Sequence, residues 1–387
     1  MPMADLEMAE GVASLPADEW NALVGNESPF LEWEWLASLE QAGAVGERTG
    51  WGPRPLVVRD SGRLVAACPL YLKLHSEGEF VFDWGWANAS ERAGIAYYPK
   101  MLVAIPFTPV TGARFLAAPG QDRQRWITLL GESLRDTCIA NDLSGVHVNF
   151  CRDDELDALE KLDFQVRFGL QYHWLNAGYA SFDDYLGRFR SKRRNQIRRE
   201  RRELERQGVV IETHVGSAIP DELFPPMYEF YKTTVQEHYY GRQYLNFPLF
   251  ELLRDTFRER LVFIVARQGD ELVAGTFNVA KGDALYGRYW GATRSLRHLH
   301  FNVCYYAAVE YCIDAGLARF EPGAGGAYKQ LRGFDPQPTR SAHFLRDPRL
   351  AQAVGQFLEA EREEVSETID WYHARSALKK QEAGGAD

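Results

Sequence analysis

The sequence predicts an α/β (α+β) protein made of two similar lobes, each with a mixed sheet flanked by helices. The first observation is a repeated hairpin, because residues 56–74 (LVVRDSGRLVAACPLYLKL) resemble residues 262–280 (VFIVARQGDELVAGTFNVA). In each copy an apolar strand meets a glycine turn, and the second strand contains LVA. A third predicted strand with a WG pair follows, EFVFDWGWA in one copy and ALYGRYWGA in the other. Copies about 205 residues apart indicate a tandem duplication.

The second observation is a strand, helix and strand pattern between residues 285 and 344. LYGRYW alternates aromatic and other residues as a half-buried strand does. Apolar residues then recur at helical spacing from 303 to 315, and Gly316 stands where a glycine often ends a helix. LARFEP is a short predicted strand, and the glycine-rich GAGG follows it. We expect the strand ends and the helix N-terminus to face one cleft, which would suit an acyl carrier with phosphates.

Helical patterns flank both predicted sheets. In the first half they cover residues 16–24, 31–43 and 124–141, with a strand at 145–150. In the second half they cover residues 223–238 and 247–260. The predicted organisation is an N-terminal lobe at residues 1–175, a C-terminal lobe with the cleft at 176–346, and an amphipathic helix with a frayed tail at 347–387.

Composition narrows the class of protein. With 387 residues and 45% hydrophobic side chains, the chain is able to fill two cores. A net charge of −10 argues against a dedicated nucleic-acid binder, and we predict no DNA partner. Five cysteines without a CxxC pair predict neither disulfides nor a metal site. We find neither a signal-peptide pattern nor about 18 uninterrupted apolar residues, and we expect a cytoplasmic protein.

One segment departs from the acidic average. Residues 191–207, SKRRNQIRRERRELERQ, contain eight Lys or Arg and three Glu, and they predict a helix of about five turns. One interpretation is a solvated face on which Glu200, Glu203 and Glu205 pair with neighbouring arginines. The other is an anion-binding face, for which the ligands in order of preference are anionic membrane lipid, CoA phosphates and tRNA. The arginines predicted to bind such an anion are Arg198, Arg199 and Arg202.

Motifs along the whole chain share the pattern of a known family. They are TGW at 49–51, YYPKMLVAIPFTPVTGARFL at 97–116, RYWG at 288–291, LHF at 299–301 followed by CYY, FEPGA at 320–324, and RGFDP at 332–336 followed by SAH. These motifs resemble the FemAB-like N-acyltransferases, a peptidoglycan biosynthesis or recognition family built from acetyltransferase-type (GNAT) folds. The resemblance implies two tandem GNAT (acyl-CoA N-acyltransferase) lobes and transfer of an acyl group to an amine.

The chain departs from that family's pattern at two places. A glutamate usually follows LHF, where this chain has Asn302. The glycine-rich loop usually reads GAQGEHK, where this chain has Gly325, Ala327 and Tyr328. A base assigned to the family's glutamate therefore does not transfer to this sequence. The chain is either a subfamily with rearranged chemistry or a member with reduced activity.

Acyl transfer from a thioester to an amine needs an acceptor for the amine proton and a donor for the departing thiolate. Glu321, at the end of the predicted strand, is one candidate base, and its alternative is an ordinary ion pair with Arg319 or Arg332. His300 is the other candidate base, because a helix N-terminus favours the neutral imidazole. Tyr328 is the candidate acid, since a phenol with a pKa near 10 suits that role; its alternative is packing under the loop.

Further residues are predicted to bind substrates. Prolines in the segment 97–111 argue against a regular central strand and predict a loop that lines a groove between the lobes. Arg294 and Arg297 are predicted to hold CoA phosphates, because the glycine-rich pyrophosphate loop of standard acetyltransferases is missing before the helix. The candidates for substrate binding are Tyr97, Tyr98, Lys100, Phe107, Thr108, Thr111, Arg288, Trp290, His298, Asn302, Lys329 and Arg332.

The expected function is transfer of an acyl group from acyl-CoA, a co-substrate, to a primary amine, without a tightly bound cofactor. The acceptor is either a lipid long-chain base, as in a bacterial ceramide synthase, or a cell-wall amine. The lipid is preferred, because the basic helix suits peripheral contact with the inner membrane face. Two alternatives are a FemABX-type transferase that uses aminoacyl-tRNA and a non-catalytic recognition protein. A long helical arm, which the tRNA-dependent family has, is not evident in residues 191–207.

Overall fold

The computed structural model describes residues 5–237 and 242–379. The chain divides into two units. Unit 1 comprises Met1–Leu170, Tyr244–Phe257 and Pro338–Ser366, and unit 2 comprises Gln171–Gln243, Arg258–Gln337 and Glu367–Asp387. The division after Leu170 lies close to the predicted lobe boundary at residue 175. Residues 244–257 and 338–346, which the sequence places in the C-terminal lobe, belong to unit 1.

The strands and helices are numbered along the chain. The strands are β1 Asp5–Met8, β2 Trp51–Pro53, β3 Leu56–Asp60, β4 Arg63–Cys68, β5 Leu70–Lys73, β6 Lys100–Val103, β7 Leu116–Ala117, β8 Gly145–Val148, β9 Gln165–Leu175, β10 Val209–Val215, β11 Leu261–Gln268, β12 Glu271–Lys281, β13 Ala284–Ala292, β14 Arg319–Glu321 and β15 Asp335–Leu345. The helices are α1 Ala17–Val24, α2 Trp33–Gln41, α3 Trp84–Arg92, α4 Arg123–Ala140, α5 Asp153–Glu160, α6 Phe182–Gly187, α7 Ser191–Arg206, α8 Phe224–Glu237, α9 Phe247–Thr256, α10 Leu299–Phe301, α11 Ala307–Asp314 and α12 Pro348–His373. A π-helical segment, Asn302–Tyr306, joins α10 to α11, and a 3-10 helix, Ala327–Arg332, follows β14.

Unit 2 is built on one sheet. Its order is β10, β11, β12, β13, β14 and the C-terminal end of β9. Neighbours from β10 to β13 are antiparallel, whereas β14 runs parallel to β13 after the crossover helix α10–α11. This confirms the strand, helix and strand unit predicted between residues 285 and 344. Gly316, at a φ of 67°, ends the crossover helix as predicted.

Unit 1 repeats this plan with two smaller sheets. One sheet has the order β1, β3, β4 and β7, and the other contains β2, β5, β6, β8 and the C-terminal end of β15. β6 and β8 are parallel, and α4 is the crossover helix between them. Buried side chains of α4, among them Trp126, Leu130 and Leu134, share one core with Val103 and Val146. Both units therefore have the mixed sheets and flanking helices that the sequence predicts.

The predicted internal repeat is confirmed in its hairpins. β3 pairs with β4 in unit 1, as β11 pairs with β12 in unit 2. Each pair contains a bulge, in which Val65 of β4 and Val273 of β12 are the extra residues. Because the valine of the LVA motif is displaced in both copies, the two hairpins share a structural detail as well as a sequence pattern.

Two local predictions are wrong. Residues 84–87, predicted as the end of a third strand, belong to α3, whose buried residues Trp86 and Ser90 lie one helical turn apart. Residues 100–103, predicted as part of a loop, form β6, which pairs with β5 on one side and β8 on the other. Pro99 and Pro106 flank this strand without interrupting it, so its ladder keeps every backbone N–H.

The other predicted helices are present with slightly shifted ends. The predicted end of α8 at residue 238 and the predicted frayed tail from residue 380 lie outside the described residues. In unit 1 the C-terminal helix α12 buries Leu350, Val354 and Leu358 beside Trp86, which confirms an amphipathic helix after residue 347. Within residues 5–237 and 242–379, no helix combines the length and the apolar character needed to cross a bilayer.

Candidate active site

The strands β13 and β14 part after a short parallel ladder in unit 2. Their pairing ends with Tyr286 opposite Glu321, whereas β13 continues to Ala292. Directly afterwards Arg288 forms a bulge, because it has no register partner in β12. A bulge bends and twists its strand, and bulges are common beside active sites. The sheet therefore opens between β13 and the chain that leaves β14.

The crossover helix begins close to the open end of β13, since the ring centroids of Trp290 and His300 are 4.5 Å apart. His298, the residue before the helix, has a φ of 67°, which is uncommon outside glycine. The Asn302 side chain donates a hydrogen bond to the His298 carbonyl at 2.9 Å, and the next turn is π-helical. Such π-helical turns occur frequently at functional sites.

His300 lies in a cluster of aromatic rings. Its ring centroid is 5.3 Å from that of Tyr305 and 6.1 Å from that of Tyr328. Phe301 lies 6.2 Å from Tyr328. The cluster brings together three residues predicted from the sequence and adds two that the prediction missed. We call Trp290, His300, Phe301, Tyr305 and Tyr328 the aromatic cluster.

The imidazole of His300 is held neutral. Burial, together with the positive charges of Arg332 and Lys329, lowers the pKa of His300 to about 4. The ring is therefore neutral at pH 7, and one ring nitrogen has a lone pair that is able to accept a hydrogen bond. The sequence predicted a neutral imidazole from the helix dipole, but burial among the aromatic rings is the largest cause.

Tyr328 is the exposed member of the aromatic cluster, with 44% of its surface open to solvent. Its hydroxyl oxygen accepts a hydrogen bond from the Tyr305 hydroxyl at 3.4 Å. Gly326, at a φ of 84°, leaves room for the ring, because a Cβ there would lie 2.9 Å from Cζ of Tyr328. Burial raises the pKa of Tyr305, so this neighbouring phenol stays protonated.

Lys329 holds the glycine-rich loop. Its buried ammonium group donates to the carbonyl of Gly323 at 2.7 Å and to that of Ala324 at 3.3 Å. Burial lowers the pKa of Lys329 to about 8. The sequence predicted that Lys329 takes part in substrate binding. In the structure its donors are directed to the loop, whose shape they fix.

Arg332 is held between the aromatic cluster and α7. Its guanidinium carbon lies 3.3 Å from the ring centroid of Phe301, and its Nη2 lies 3.5 Å from Oε2 of Glu200. The same carboxylate accepts a hydrogen bond from the Tyr306 hydroxyl at 2.5 Å. The backbone oxygen of Glu200 accepts from the Asn302 side chain at 3.2 Å. α7 is thereby tied to the helix that carries His300.

The prediction that Glu200 pairs with neighbouring arginines on α7 is wrong. Its carboxylate is buried, because Ile197, Glu200 and Leu204 form the inward face of α7 at helical spacing. The helical spacing of these three residues was the signal in the sequence that Glu200 is buried. The same prediction is confirmed for Glu203, which lies 3.6 Å from Arg206.

Glu321 is buried at the end of β14. Its Oε1 accepts a hydrogen bond from Nε of Arg319 at 3.1 Å, which is the ion pair predicted as the alternative to a catalytic role. Its Oε2 lies 3.9 Å from Nε2 of His173 and accepts no hydrogen bond from the residues that the structure describes. The role of Glu321 as a base stays a prediction.

Glu321 and the aromatic cluster lie on opposite faces of the sheet. Phe320 packs on Phe334 at 5.6 Å, and Phe334 packs on Tyr305 of the cluster at 5.4 Å. Adjacent residues of a strand point to opposite faces, so Glu321 points away from His300. The structure thus brings His300 and Tyr328 together and leaves Glu321 apart. The alternation of Phe320 and Glu321 was the available sequence signal.

The candidates from the segment 97–111 belong to unit 1. Lys100 is buried and forms ion pairs with Glu79, at 2.9 Å, and with Asp83. The hydroxyl of Tyr97 donates to Asp83 at 2.6 Å, and that of Tyr98 lies 2.7 Å from the Ser76 hydroxyl. These groups are engaged within unit 1. Of the remaining candidates in the segment, Phe107 and Thr108 are buried, and Thr111 is half-buried.

The remaining cationic candidates differ in their partners. Arg294 is paired with Glu271, whereas Arg297 is exposed. The guanidinium carbon of Arg288 lies 5.3 Å from the Tyr289 ring. On α7, Arg198 pairs with Asp183 at 3.0 Å. The other two predicted anion-binding arginines, Arg199 and Arg202, are exposed.

Two units that each join antiparallel strands, a crossover helix and a parallel strand define a tandem GNAT-type fold. The family described as FemAB-like, peptidoglycan biosynthesis/recognition, matches residues 11–380. This chain belongs to the FemAB-like family. A comparison with curated proteins found no match.

Solved structures share the fold at low sequence identity. FemX has a TM-score of 0.54 and 13% identity, with 88% of this chain and 98% of FemX covered. The C-terminal domain of a putative lysylphosphatidylglycerol synthetase from Agrobacterium fabrum has a TM-score of 0.54 and 10% identity, with coverage of 89% and 95%. A conserved protein of unknown function from Bacteroides thetaiotaomicron has a TM-score of 0.52 and 11% identity, with coverage of 88% and 100%. At these identities the similarity concerns the fold alone.

Proposed function

We propose that this chain is an N-acyltransferase that moves an acyl group from a thioester, acyl-CoA, to a primary amine. The observation that carries the proposal is a neutral imidazole, His300, beside an exposed phenol, Tyr328, in one aromatic cluster. Aminolysis of a thioester requires a proton acceptor and a proton donor in the same site. The tandem GNAT-type fold supports the proposal by analogy.

The proposed reaction uses these two groups in opposite roles. The amine nitrogen attacks the thioester carbonyl carbon, a C–N bond forms and the C–S bond breaks. His300 accepts the proton that the nitrogen loses, and Tyr328 donates a proton to the departing thiolate. The Tyr305 hydroxyl, which donates to Tyr328, stabilises the resulting phenolate. Return of the proton from His300 to Tyr328 through solvent restores both groups.

Acyl-CoA is proposed as a co-substrate, with no tightly bound cofactor. Its phosphates would lie at the N-terminus of the helical run that begins with Leu299, where the helix dipole favours negative charge. Arg297, which is exposed just before that helix, would add a cation. Arg294 is engaged by Glu271 and is the weaker candidate.

Two classes of amine acceptor fit the proposal. A cell-wall amine is supported by the description of the family. A lipid long-chain base, as in a bacterial ceramide synthase, is supported by the apolar rings around His300 and by the basic outer face of α7. We favour the lipid amine, with a cytoplasmic enzyme that acts at the inner membrane face.

Two further candidates each rest on a specific observation. Similarity of fold to FemX supports a FemABX-type transferase that uses aminoacyl-tRNA, although α7, with 16 residues, is short for a tRNA-binding arm. A non-catalytic recognition protein is supported by Asn302, because this buried amide occupies the place where the family usually has a glutamate.

The test is release of free thiol from acyl-CoAs of increasing chain length with a panel of lipid, sugar and peptide amines. We expect His300→Gln to lower turnover by about 100-fold or more, the usual contribution of general-base catalysis. Tyr328→Phe should lower turnover less, because water is able to protonate a thiolate. Glu321→Gln is the matched comparison, since it removes a carboxylate on the opposite face of the sheet.

Each result has a distinct meaning. Full activity of His300→Gln together with loss in Glu321→Gln would transfer the role of base to Glu321, as the sequence prediction allows. Product from aminoacyl-tRNA but not from any acyl-CoA would favour the FemABX-type alternative. Absence of turnover with every donor, while an amine still binds by calorimetry, would favour a recognition protein.

A further inference from the structure

The outer face of α7 is a stripe of cations. Lys192, Arg199, Arg202 and Arg206 are exposed and occupy positions i, i+7, i+10 and i+14, which lie on one side of a helix. With a rise of about 1.5 Å per residue, the stripe is roughly 21 Å long. We call these four residues the basic stripe.

Most cations of the basic stripe have no acidic partner among the described residues of unit 2. Glu200 points inward, and Glu203 is 3.6 Å from Arg206 at the end of the stripe. Within residues 5–237 and 242–379, Lys192, Arg199 and Arg202 take part in no ion pair. These three cations stand on a chain whose net charge is −10, so they form a local positive surface on an acidic protein.

We propose that the basic stripe docks this protein on an anionic lipid bilayer. The three uncompensated cations span about 15 Å along a rigid helix, which is too wide for the phosphates of one nucleotide and suits an array of headgroups. The segment SKRRNQIRRERRELER contains no aromatic residue, so it has no platform on which a nucleic-acid base could stack. The basic stripe therefore provides positive charge but no aromatic contact for a nucleic-acid base.

α7 would connect the bilayer with the candidate active site. Glu200, on its inward face, accepts a hydrogen bond from Tyr306, and its backbone oxygen accepts from Asn302. Both partners belong to the helical run that carries His300. Docking on the bilayer is independent of the reaction, whereas delivery of a lipid amine to His300 rests on the proposed function.

The experiment is cosedimentation with vesicles of phosphatidylcholine, with and without phosphatidylglycerol. The test variant is Lys192→Glu, Arg199→Glu and Arg202→Glu combined. The matched control is Arg48→Glu, Arg63→Glu and Arg92→Glu combined, because these exposed arginines of unit 1 give the same change in net charge. Circular dichroism and thermal melts check that both variants fold.

We expect binding to anionic vesicles to weaken at least about a hundredfold in the stripe variant, since each basic residue near an anionic surface contributes on the order of fivefold. The control should lose much less, and binding of the unmodified chain should fade as the Debye length falls from about 10 Å at 0.1 M salt to about 3 Å at 1 M. Because no substrate is present, failure of docking and failure of acyl transfer are separate results.

Three outcomes would overturn the proposal. Equal binding to neutral vesicles would show that charge is not the cause. Equal loss in the stripe and control variants would show that net charge matters and the stripe does not. Stripe-dependent binding to folded tRNA at concentrations where anionic vesicles do not bind would assign the surface to nucleic acid.

Discussion

The two units share a hairpin and differ at the ends of the parallel strands that follow it. In unit 2, β12 runs through 11 residues without a break, and β13 bulges away beyond its pairing with β14. In unit 1 the equivalent strand is divided into β4 and β5 at Pro69, which lacks a backbone N–H. The two copies of the duplicated fold therefore differ in how the second strand of the hairpin continues.

The strand ends of unit 1 are filled by the chain itself. Arg114 is fully buried beyond β6 and β8, and its guanidinium donates to the carbonyls of Asn149 at 2.7 Å and Val110 at 2.6 Å. The carboxylate of Glu155 accepts from the backbone N–H of Arg114 at 2.7 Å and from that of Phe115 at 2.9 Å. The polar groups of Arg114 and Glu155, which could otherwise have faced a ligand, therefore form hydrogen bonds within unit 1.

In unit 2 the aromatic cluster lies at the corresponding strand ends. His300 and Tyr328 have ring partners there, and Tyr328 is open to solvent. Under the proposed function, unit 2 carries the reaction, whereas the buried polar groups of unit 1 contribute to stability. Substitutions at the buried charges of unit 1 should therefore change stability, whereas substitutions in the aromatic cluster should change the reaction.

The largest effect is expected for Lys100→Met in unit 1. This lysine separates the buried carboxylates of Glu79 and Asp83, and removing it leaves both without their closest cation. Loss of one partner from a buried ion pair costs about 3–5 kcal/mol. Urea unfolding followed by circular dichroism should show the loss, and hydrogen exchange should place it in the amides of β6 and β8.

Lys73→Met is the matched control for this substitution. Lys73 is also buried, but burial lowers its pKa to about 6, so its amine is mostly neutral at pH 7. Its nearest carboxylate oxygen, Oε1 of Glu79, is 4.0 Å away. We expect a loss of less than about 1.5 kcal/mol, close to that of one hydrogen bond. Equal losses for the two lysines would refute the assignment of Lys100 as the cation of this cluster.

An intermediate effect is expected for Arg114→Lys. Lysine keeps the charge, but it lacks the planar fork that reaches the carbonyls of Asn149 and Val110 together. The loss of one or two buried hydrogen bonds should cost about 2 kcal/mol. Turnover per folded molecule should not change. A lower turnover in a variant of normal stability would show that the strand ends of unit 1 take part in the reaction.

Local pattern predicted the hairpins well, because their strands and turns depend on residues close in sequence. β6 was missed because the sequence does not show whether its prolines lie at the ends of a strand or within it. That distinction requires the pairing partners of the strand. Its partners β5 and β8 lie far away in the sequence, and Lys100 is acceptable there only because Glu79 and Asp83 surround it.

Only part of the candidate site could be predicted, because some of its residues come together only in the folded chain. His300 and Tyr328 were identified by residue type and by their place beside a helix and a glycine-rich loop. Tyr305 was missed, because it joins the aromatic cluster only in the folded chain. Glu200 was assigned to arginines on α7, although its spacing from Ile197 and Leu204 indicated burial. The separation of Glu321 from His300 follows from strand alternation, which the sequence does contain.

The smallest effect at neutral pH concerns protonation of His300. Its pKa in the folded chain, about 4, lies below the ordinary value of about 6.5. Between pH 6.5 and 4 the unfolded chain therefore binds a proton that the folded chain does not, so His300 lowers stability as pH falls through this window. At pH 7 it contributes nothing. We also expect the acidic limb of kcat/KM to lie near pH 4.

Proton NMR of the histidine ring signals is the direct measurement, with His300→Gln used to assign the His300 signal. A stability curve alone would be ambiguous, because burial also lowers the pKa of His343 and that of His147, to about 3, in unit 1. The difference between the stability curves of the unmodified chain and His300→Gln removes that contribution. Titration of His300 near pH 6.5 would mean that water surrounds the imidazole, and the contrast between a filled unit 1 and the apolar aromatic cluster of unit 2 would then fail at its central residue.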